Sequence, residues 1–280
     1  LRGEPVELGE RTLVMGVLNA TPDSFSDGGR LPTAEAAVAH GLGLLESGAD
    51  WVDVGGESTR PGAARVTSEE EIRRVVPVVE GLRRRGAGAI SVDTTKAAVA
   101  RAALDAGADL VNDVSAFGLD PTMAPLVASR EVPAVLMHNR GGFEDRHREP
   151  AYRDVAAEVV SELGEVLARA EHAGVPREQL IVDPGIGFAK DAAHSLEALA
   201  RLDALDALDR PVLVGPSRKS FIGKVLDLPV ERRLMGTAAA VAACVLQGAH
   251  VVRAHDVGAT VRAVQMIDAI RHSEESEGSA

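Results

Sequence analysis

Eight short apolar runs, each followed by a longer amphipathic stretch, constrain this chain more than any other feature of its sequence. The runs fall at residues 13–18, 51–54, 89–92, 110–112, 134–137, 180–183, 212–215 and 251–254, and the helical patterns at 33–46, 68–84, 96–105, 123–129, 152–172, 195–205, 232–246 and 257–270. Consecutive rather than alternating β-capable residues suit parallel strands covered on both faces. A strand-then-helix unit repeated eight times in about 250 residues predicts an α/β fold of the (β/α)8 TIM barrel type, in preference to an open doubly wound sheet. No Gly-x-Gly-x-x-Gly opens the first helix, so the usual mark of a dinucleotide-binding sheet is missing.

A partial internal repeat supports one reused unit. Ser47-Gly48-Ala49-Asp50, Ala106-Gly107-Ala108-Asp109 and Gln247-Gly248-Ala249-His250 each end a helix on a glycine cap and open a strand. With 45% apolar residues but only seven aromatics, the core must be aliphatic. Residues 5–8 and 11–12, around Gly9-Glu10, predict a short N-terminal β-hairpin across the bottom of the barrel. No linker or composition shift precedes Ser273. Residues 1–272 therefore read as a single domain, and the small acidic stretch 273–280 as a disordered tail.

The net charge of −12 argues against non-specific binding to nucleic acid or to an anionic membrane. Anionic small molecules remain compatible, provided positive charge is gathered locally. The lone Cys244 excludes a disulfide within the chain and a cysteine-cluster metal site, and it agrees with a reducing cytoplasm. No segment resembles a signal peptide or an apolar span of about 18 residues, so the expected localisation is cytoplasmic. Lys96, Lys190, Lys219 and Lys224 are the only lysines among 30 basic residues, a bias that genome composition and heat adaptation explain equally well.

In such a barrel the loops after the strands build the ligand site. Here they carry Asn19, Phe25 and Asp27; then Asp53, Thr59, Arg60 and Pro61; then Asp93, Asn112, Met137 and His138; and finally Asp183, Phe188, Ser217, Lys219, Arg253 and His255. The run Leu180-Ile181-Val182-Asp183 stops at Pro184, which cannot extend a ladder, and Gly185 and Gly187 then permit positive φ or close approach of a ligand. Carboxylates, an amide, arginines, a lysine and a histidine gathered beside a core are costly unless partnered. Arg253 and His255 alternate along the last strand and so leave it on the same side.

Residues 19–29, 55–62, 183–190 and 217–219 resemble the signature motifs of bacterial dihydropteroate synthases, in order and in spacing, and the similarity extends from Leu13 to about Ile270. The resemblance implies a Mg²⁺-requiring homodimeric barrel. It would join 6-hydroxymethyl-7,8-dihydropterin diphosphate to 4-aminobenzoate, releasing diphosphate and 7,8-dihydropteroate. It also implies that Asp93, Asn112 and Asp183 read the pterin edge while Met137 and Phe188 cover its faces, although either of these two could be plain core. Lys219 would span both substrates. Arg253, His255 and Arg60 would bind the diphosphate, with Asn19 on the metal, and Ser217 would take the aminobenzoate carboxylate near a helix N-terminus. Phe25, Asp27, Thr59 and Pro61 would complete that pocket from two closing loops. The catalytic set implied is Asp93, Asp183, Lys219, Arg253 and His255.

For His138 a hydrogen bond to a neighbour is the favoured reading. Two departures from the family pattern, Ala20 and the Gly141-Gly142-Phe143 stretch, touch none of these roles. Two alternatives stand beside the synthase. A pterin-dependent methyltransferase shares such a barrel but has no need of the anion sites at Ser217-Arg218-Lys219 and at Arg253 and His255. A non-catalytic pterin-binding paralogue has no need of an intact set at Asn19, Asp27, Arg60, Lys219 and Arg253.

Overall fold

The structure, a computed structural model, describes residues 6–21, 34–58, 65–140 and 151–277. Its elements are β1 (Leu13–Asn19), α1 (Ala34–Glu46), β2 (Trp51–Gly55), α2 (Ser68–Arg84), β3 (Ala89–Asp93), α3 (Ala97–Asp105), β4 (Leu110–Asp113), α4 (Met123–Arg130), β5 (Ala134–Met137), α5 (Val155–His172), β6 (Leu180–Asp183), α6 (Ala192–Ala200), β7 (Leu213–Val214), α7 (Ser220–Leu226), α8 (Leu234–Leu246), β8 (Val251–Ala254) and α9 (Val257–Glu277). The strands pair in parallel in the order 6-5-4-3-2-1-8-7. A parallel bridge between Val182 and Val212 closes the sheet on itself, giving the expected (β/α)8 barrel.

Side chains alternate across each strand, so every second residue enters the barrel. The lower interior is a dry layer of Leu13, Met15, Trp51, Leu110, Val135, Ile181, Leu213 and Val251, with Leu8 and Ala89 packed against it. A second and larger aliphatic core fills the space between the strands and the helices.

The N-terminal segment differs from expectation. Residues 6–12 form no strand, and Pro5 lies outside the described residues. The backbone N–H of Thr12, which a hairpin would have placed in a ladder, donates instead to Asp268 at 2.9 Å, and its hydroxyl reaches the same carboxylate at 2.9 Å. Arg11 pairs with Asp50. The segment is thus an irregular plug held by side chains. At the other end α9 continues to Glu277, through positions read as tail; residues 278–280 lie outside the described residues. The pattern read as one helix over 195–205 divides into α6 and a 3₁₀ turn at Leu202–Leu208. The seven-residue α7 had no periodic signal long enough to read.

The internal repeat has a physical function. Gly48, Gly107 and Gly248 sit at φ of 99°, 108° and 91°, where a side chain would be strained. The following alanine N–H then returns to the helix, at 3.0 Å (Ala49 to Leu44), 2.9 Å (Ala108 to Ala103) and 3.0 Å (Ala249 to Cys244), which satisfies carbonyls left open at the helix end. The fourth residue of each unit accepts an N–H from the neighbouring strand: Val14 to Asp50 at 2.8 Å, Ile90 to Asp109 at 2.7 Å, Val212 to His250 at 3.2 Å. One tetrapeptide therefore ends a helix and sets a strand beside its neighbour. Asp109 is the most buried of these acceptors and also pairs with Arg83 at 2.5 Å. Asp109→Ala is expected to lower unfolding stability by about 2–4 kcal/mol, through a lost buried ion pair and an unmet strand N–H. Equilibrium denaturation measures this, and an unchanged midpoint would contradict the role given to the repeat.

Candidate active site

Two residues above the dry layer, the inward positions turn polar. Asp53 on β2, Ser91 on β3, Asn112 on β4, Asp183 on β6 and Arg253 on β8 follow Trp51, Ala89, Leu110, Ile181 and Val251 at the strand period of two. The Arg253 guanidinium spans the barrel. Its Nε donates to Asp53 Oδ2 at 2.6 Å and its Nη2 to Asp93 Oδ2 at 2.8 Å. Asp53 is fully buried and takes a further hydrogen bond from Asn112 Nδ2 at 3.0 Å. An ionised carboxylate only accepts, so Asp53 turns the Asn112 NH₂ toward itself and leaves its carbonyl oxygen for another donor. Burial pushes the Asp93 carboxyl up to about 7, against the pull of Arg253 and with the push of Asp53.

Asp183 lies at the end of β6, raised in pKa by burial and held down in part by Lys219 and by the N–H of Gly185, which donates to its Oδ1 at 2.7 Å. The chain then turns sharply. Gly185 has φ 67°, and a Cβ there would stand 2.0 Å from the His138 carbonyl oxygen, so no other residue fits. Phe188, half-buried in this turn, has the Lys219 ammonium 4.4 Å from its ring centroid. That ammonium also donates to the Ile186 carbonyl. Burial lowers the Lys219 pKa to about 8, with Asp183 opposing and Arg253 adding to the fall. Met137 is buried at the end of β5, near the position a Gly185 side chain would take.

Beyond β7 and β8 the Ser217 hydroxyl lies 3.0 Å from His255 Nδ1 and accepts the His255 backbone N–H at 3.2 Å. Arg218, at φ 58°, grips Asp256 through Nε at 2.8 Å and Nη2 at 2.5 Å. Asn19 ends β1 and is partly exposed. Asp93, Asn112, Asp183, Lys219 and Arg253 thus come together with Phe188 and Met137, and Ser217 with His255. The last strand sends Arg253 into the carboxylate ring, while His255, two residues on, meets Ser217. Phe25, Asp27, Thr59, Arg60 and Pro61 lie outside the described residues.

Several contributors carried no ligand-binding role in the sequence reading. Asp53 is the shared acceptor at the centre of the ring, while its partners stand 59 and 200 positions away. Lys96 reaches Glu57 at 2.9 Å, Glu71 at 2.5 Å and the Val66 carbonyl at 3.0 Å, and Glu57 accepts the Val66 N–H at 2.9 Å. This cluster ties together the two ends of the loop after β2. Its only sequence signal was a lysine in an arginine-rich chain. His138 hydrogen-bonds to neighbours, with Glu162 at 3.0 Å and Lys190 at 2.8 Å.

Comparison with known proteins identifies the family of the chain. Residues 15–255 match the family of pterin binding enzymes. A dihydropteroate synthase from Bacillus subtilis (strain 168) is 46% identical over 261 residues, covering 93% of this chain and 89% of its own. The Xanthomonas albilineans dihydropteroate synthase solved with 4-aminobenzoic acid superposes at a TM-score of 0.88 with 49% identity, covering 93% of each chain. The Yersinia pestis synthase solved as a sulfonamide drug complex superposes at 0.91 with 41% identity, covering 97% of this chain and 98% of its own. Identity of this extent, on one barrel and across nearly the whole length, means that the chain belongs to the dihydropteroate synthase family of pterin binding enzymes.

Proposed function

We propose that this chain condenses 6-hydroxymethyl-7,8-dihydropterin diphosphate with 4-aminobenzoate, and that the ring around Asp53 is the pterin site. One observation carries the reading: Asp53 holds the Asn112 amide so that its oxygen is presented as an acceptor in a pocket that also contains Asp93 and Asp183. A pterin edge offers a row of N–H donors, which two carboxylates and an amide oxygen match. Met137 and Phe188 cover the ring faces. Arg253 commits one hydrogen on Nε and one on Nη2 to carboxylates, which leaves N–H groups for a diphosphate oxygen. His255 and, from the loop after β2, Arg60 complete the diphosphate site.

Ser217 and Lys219 receive the aminobenzoate carboxylate, and Phe25, Thr59, Pro61 and Asp27 complete that site. Sulfonamides, which imitate 4-aminobenzoate, would compete there. Among the described residues no group of three or more His, Cys, Asp or Glu could hold a metal. Asn19 nonetheless supplies a hard amide oxygen at the pocket rim, which suits Mg²⁺, an ion that keeps most of its waters and takes phosphate oxygens. When bound through Asn19 and the diphosphate, Mg²⁺ would neutralise charge on the leaving group. A homodimer is supported by the exposed Leu234, Met235 and Leu246 on α8 and Met266 and Ile270 on the packed neighbour α9. No described helix is long and apolar enough to cross a membrane.

An aniline nitrogen is a weak nucleophile, whereas the pterin methylene can pass positive charge to its ring once diphosphate departs. We therefore place bond breaking ahead of bond making. Arg253 and His255 stabilise the leaving diphosphate, and Asp93 and Asp183 offset the cation.

Two measurements test these assignments. Purified protein given both substrates and Mg²⁺ should form dihydropteroate, and Ser217→Ala should raise KM for 4-aminobenzoate about tenfold or more while leaving KM for the pterin substrate nearly unchanged. No product would contradict the activity, and equal effects on both constants would move Ser217 out of the aminobenzoate site. For the order of steps, bridge-labelled dihydropterin diphosphate incubated with the protein and Mg²⁺ but no aminobenzoate should scramble its label. Absence of scrambling, with a steep dependence of rate on aniline basicity, would indicate concerted displacement.

A further inference from the structure

Lys190 is used by none of the roles assigned above, yet its side chain is among the most buried cations of the chain, at 7% exposure. Its ammonium stands 2.8 Å from His138 Nδ1 and 3.3 Å from the carbonyl oxygens of both Gly185 and Phe188. An ammonium only donates, so His138 Nδ1 accepts, and the proton on the neutral ring is on Nε2, where it is donated to Glu162 Oε2 at 3.0 Å. Glu162 is in turn fixed by Arg140, whose Nε lies 2.8 Å from Oε1. The chain from α5 through β5 therefore ends on the two carbonyls that bracket the turn after Asp183.

We propose that Glu162, His138 and Lys190 form a positioning relay that holds the β6 turn in the shape in which Asp183 and Phe188 meet the pterin ring, so that pterin affinity depends on the protonation of Lys190. The proposal rests on the reading that the pterin lies against those two residues. Three acceptors face the Lys190 nitrogen. A protonated amine has a hydrogen for each; a neutral amine has two and a lone pair, and must release a carbonyl or repel the His138 nitrogen. On its other side the turn is held by the Gly185 N–H on Asp183, the Phe188 N–H on the Gly185 carbonyl at 3.0 Å and Lys219 on the Ile186 carbonyl, so Lys190 is the group that secures the Gly185 and Phe188 carbonyls from behind.

The charged groups facing Lys190 come from every neighbouring element: Asp183 on β6, Lys219 after β7, His138 and Arg140 after β5, Glu162 on α5, with the Tyr152 ring 5.7 Å away. Burial lowers the Lys190 pKa to about 7; Asp183 and Glu162 oppose the fall, and Lys219 and Arg140 add to it. A group with a depressed cationic pKa contributes its charge below that value and loses it above. Burial lowers the pKa of His138 to about 4, so the imidazole stays neutral across this range and the change belongs to Lys190.

The test is calorimetric binding of dihydropterin diphosphate to the wild-type chain, Lys190→Met and Lys190→Arg from about pH 6 to about pH 9. Wild type should bind about tenfold more tightly than Lys190→Met at the acid end, and the ratio should shrink toward one as pH rises, because both chains then lack the cation. Lys190→Arg, charged throughout, should lose less affinity than wild type over the same rise. Taking ratios removes the titration of Asp93, which all three chains share, and Lys190→Arg, which keeps a charge beside Lys219, controls for the titration of that group. A wild-type to Lys190→Met ratio that stays constant with pH would make Lys190 merely structural, and a ratio of one throughout would remove it from the site. Either result would overturn the relay while leaving the pterin site intact; failure of wild type itself to bind would instead remove the substrate reading on which the relay stands.

Discussion

Arg253, held between Asp53 and Asp93, is the interaction on which the ligand face depends. It lies in a barrel whose lower interior is wholly apolar, where a lone guanidinium or a lone carboxylate would be strongly destabilising. Together the three charges are partnered, at 2.6 and 2.8 Å. Their placement follows from the strand period, since each stands two residues or four above a residue of the dry layer. The arginine thus keeps two carboxylates in the barrel mouth without a ligand. It also determines how they point, and through Asp53 how Asn112 presents its amide.

The β6 turn forms the other wall and works by a different constraint. There the backbone is bent by glycine and steric exclusion: the His138 carbonyl leaves no room for a side chain at Gly185. The bend brings Phe188 under Lys219 and lets the Gly185 N–H support Asp183. Two cations, Lys190 behind the turn and Lys219 in front of it, are both lowered in pKa by burial. The wall is therefore electrostatically responsive near neutral pH, whereas on the other side the Arg253 guanidinium itself stays charged at any pH the protein meets.

The barrel was legible because its information is local. Each apolar run is a strand, and each Gly-Ala pair in the repeat marks a helix end, within a few residues of sequence. Where the sequence misled, a distant side chain had taken over a local group: Asp268 captured the Thr12 N–H and removed the hairpin that residues 5–12 suggested. The site was legible in its residue types, since Asp93, Asn112, Asp183, Lys219 and Arg253 all end or follow strands. Its wiring was not. Asp53 gains its importance from Asn112 and Arg253, and Lys190 from His138 and Glu162, partners that only barrel closure and helix packing bring within reach. Arg253 and His255, two residues apart on the last strand, have different partners without a ligand, Asp53 and Asp93 for one and Ser217 for the other.

The claim that unifies these observations is that the polar layer above the dry core reads a pterin through acceptors, with Asp183 among them. Asp183→Asn tests it most directly, because the substitution keeps size and shape while turning an acceptor oxygen into a donor NH₂. Calorimetry with dihydropterin diphosphate should show a loss of about 2–5 kcal/mol in binding, the range for breaking one side of a buried charge-assisted pair, with the fold retained by circular dichroism. An affinity equal to that of the wild-type chain would contradict the account.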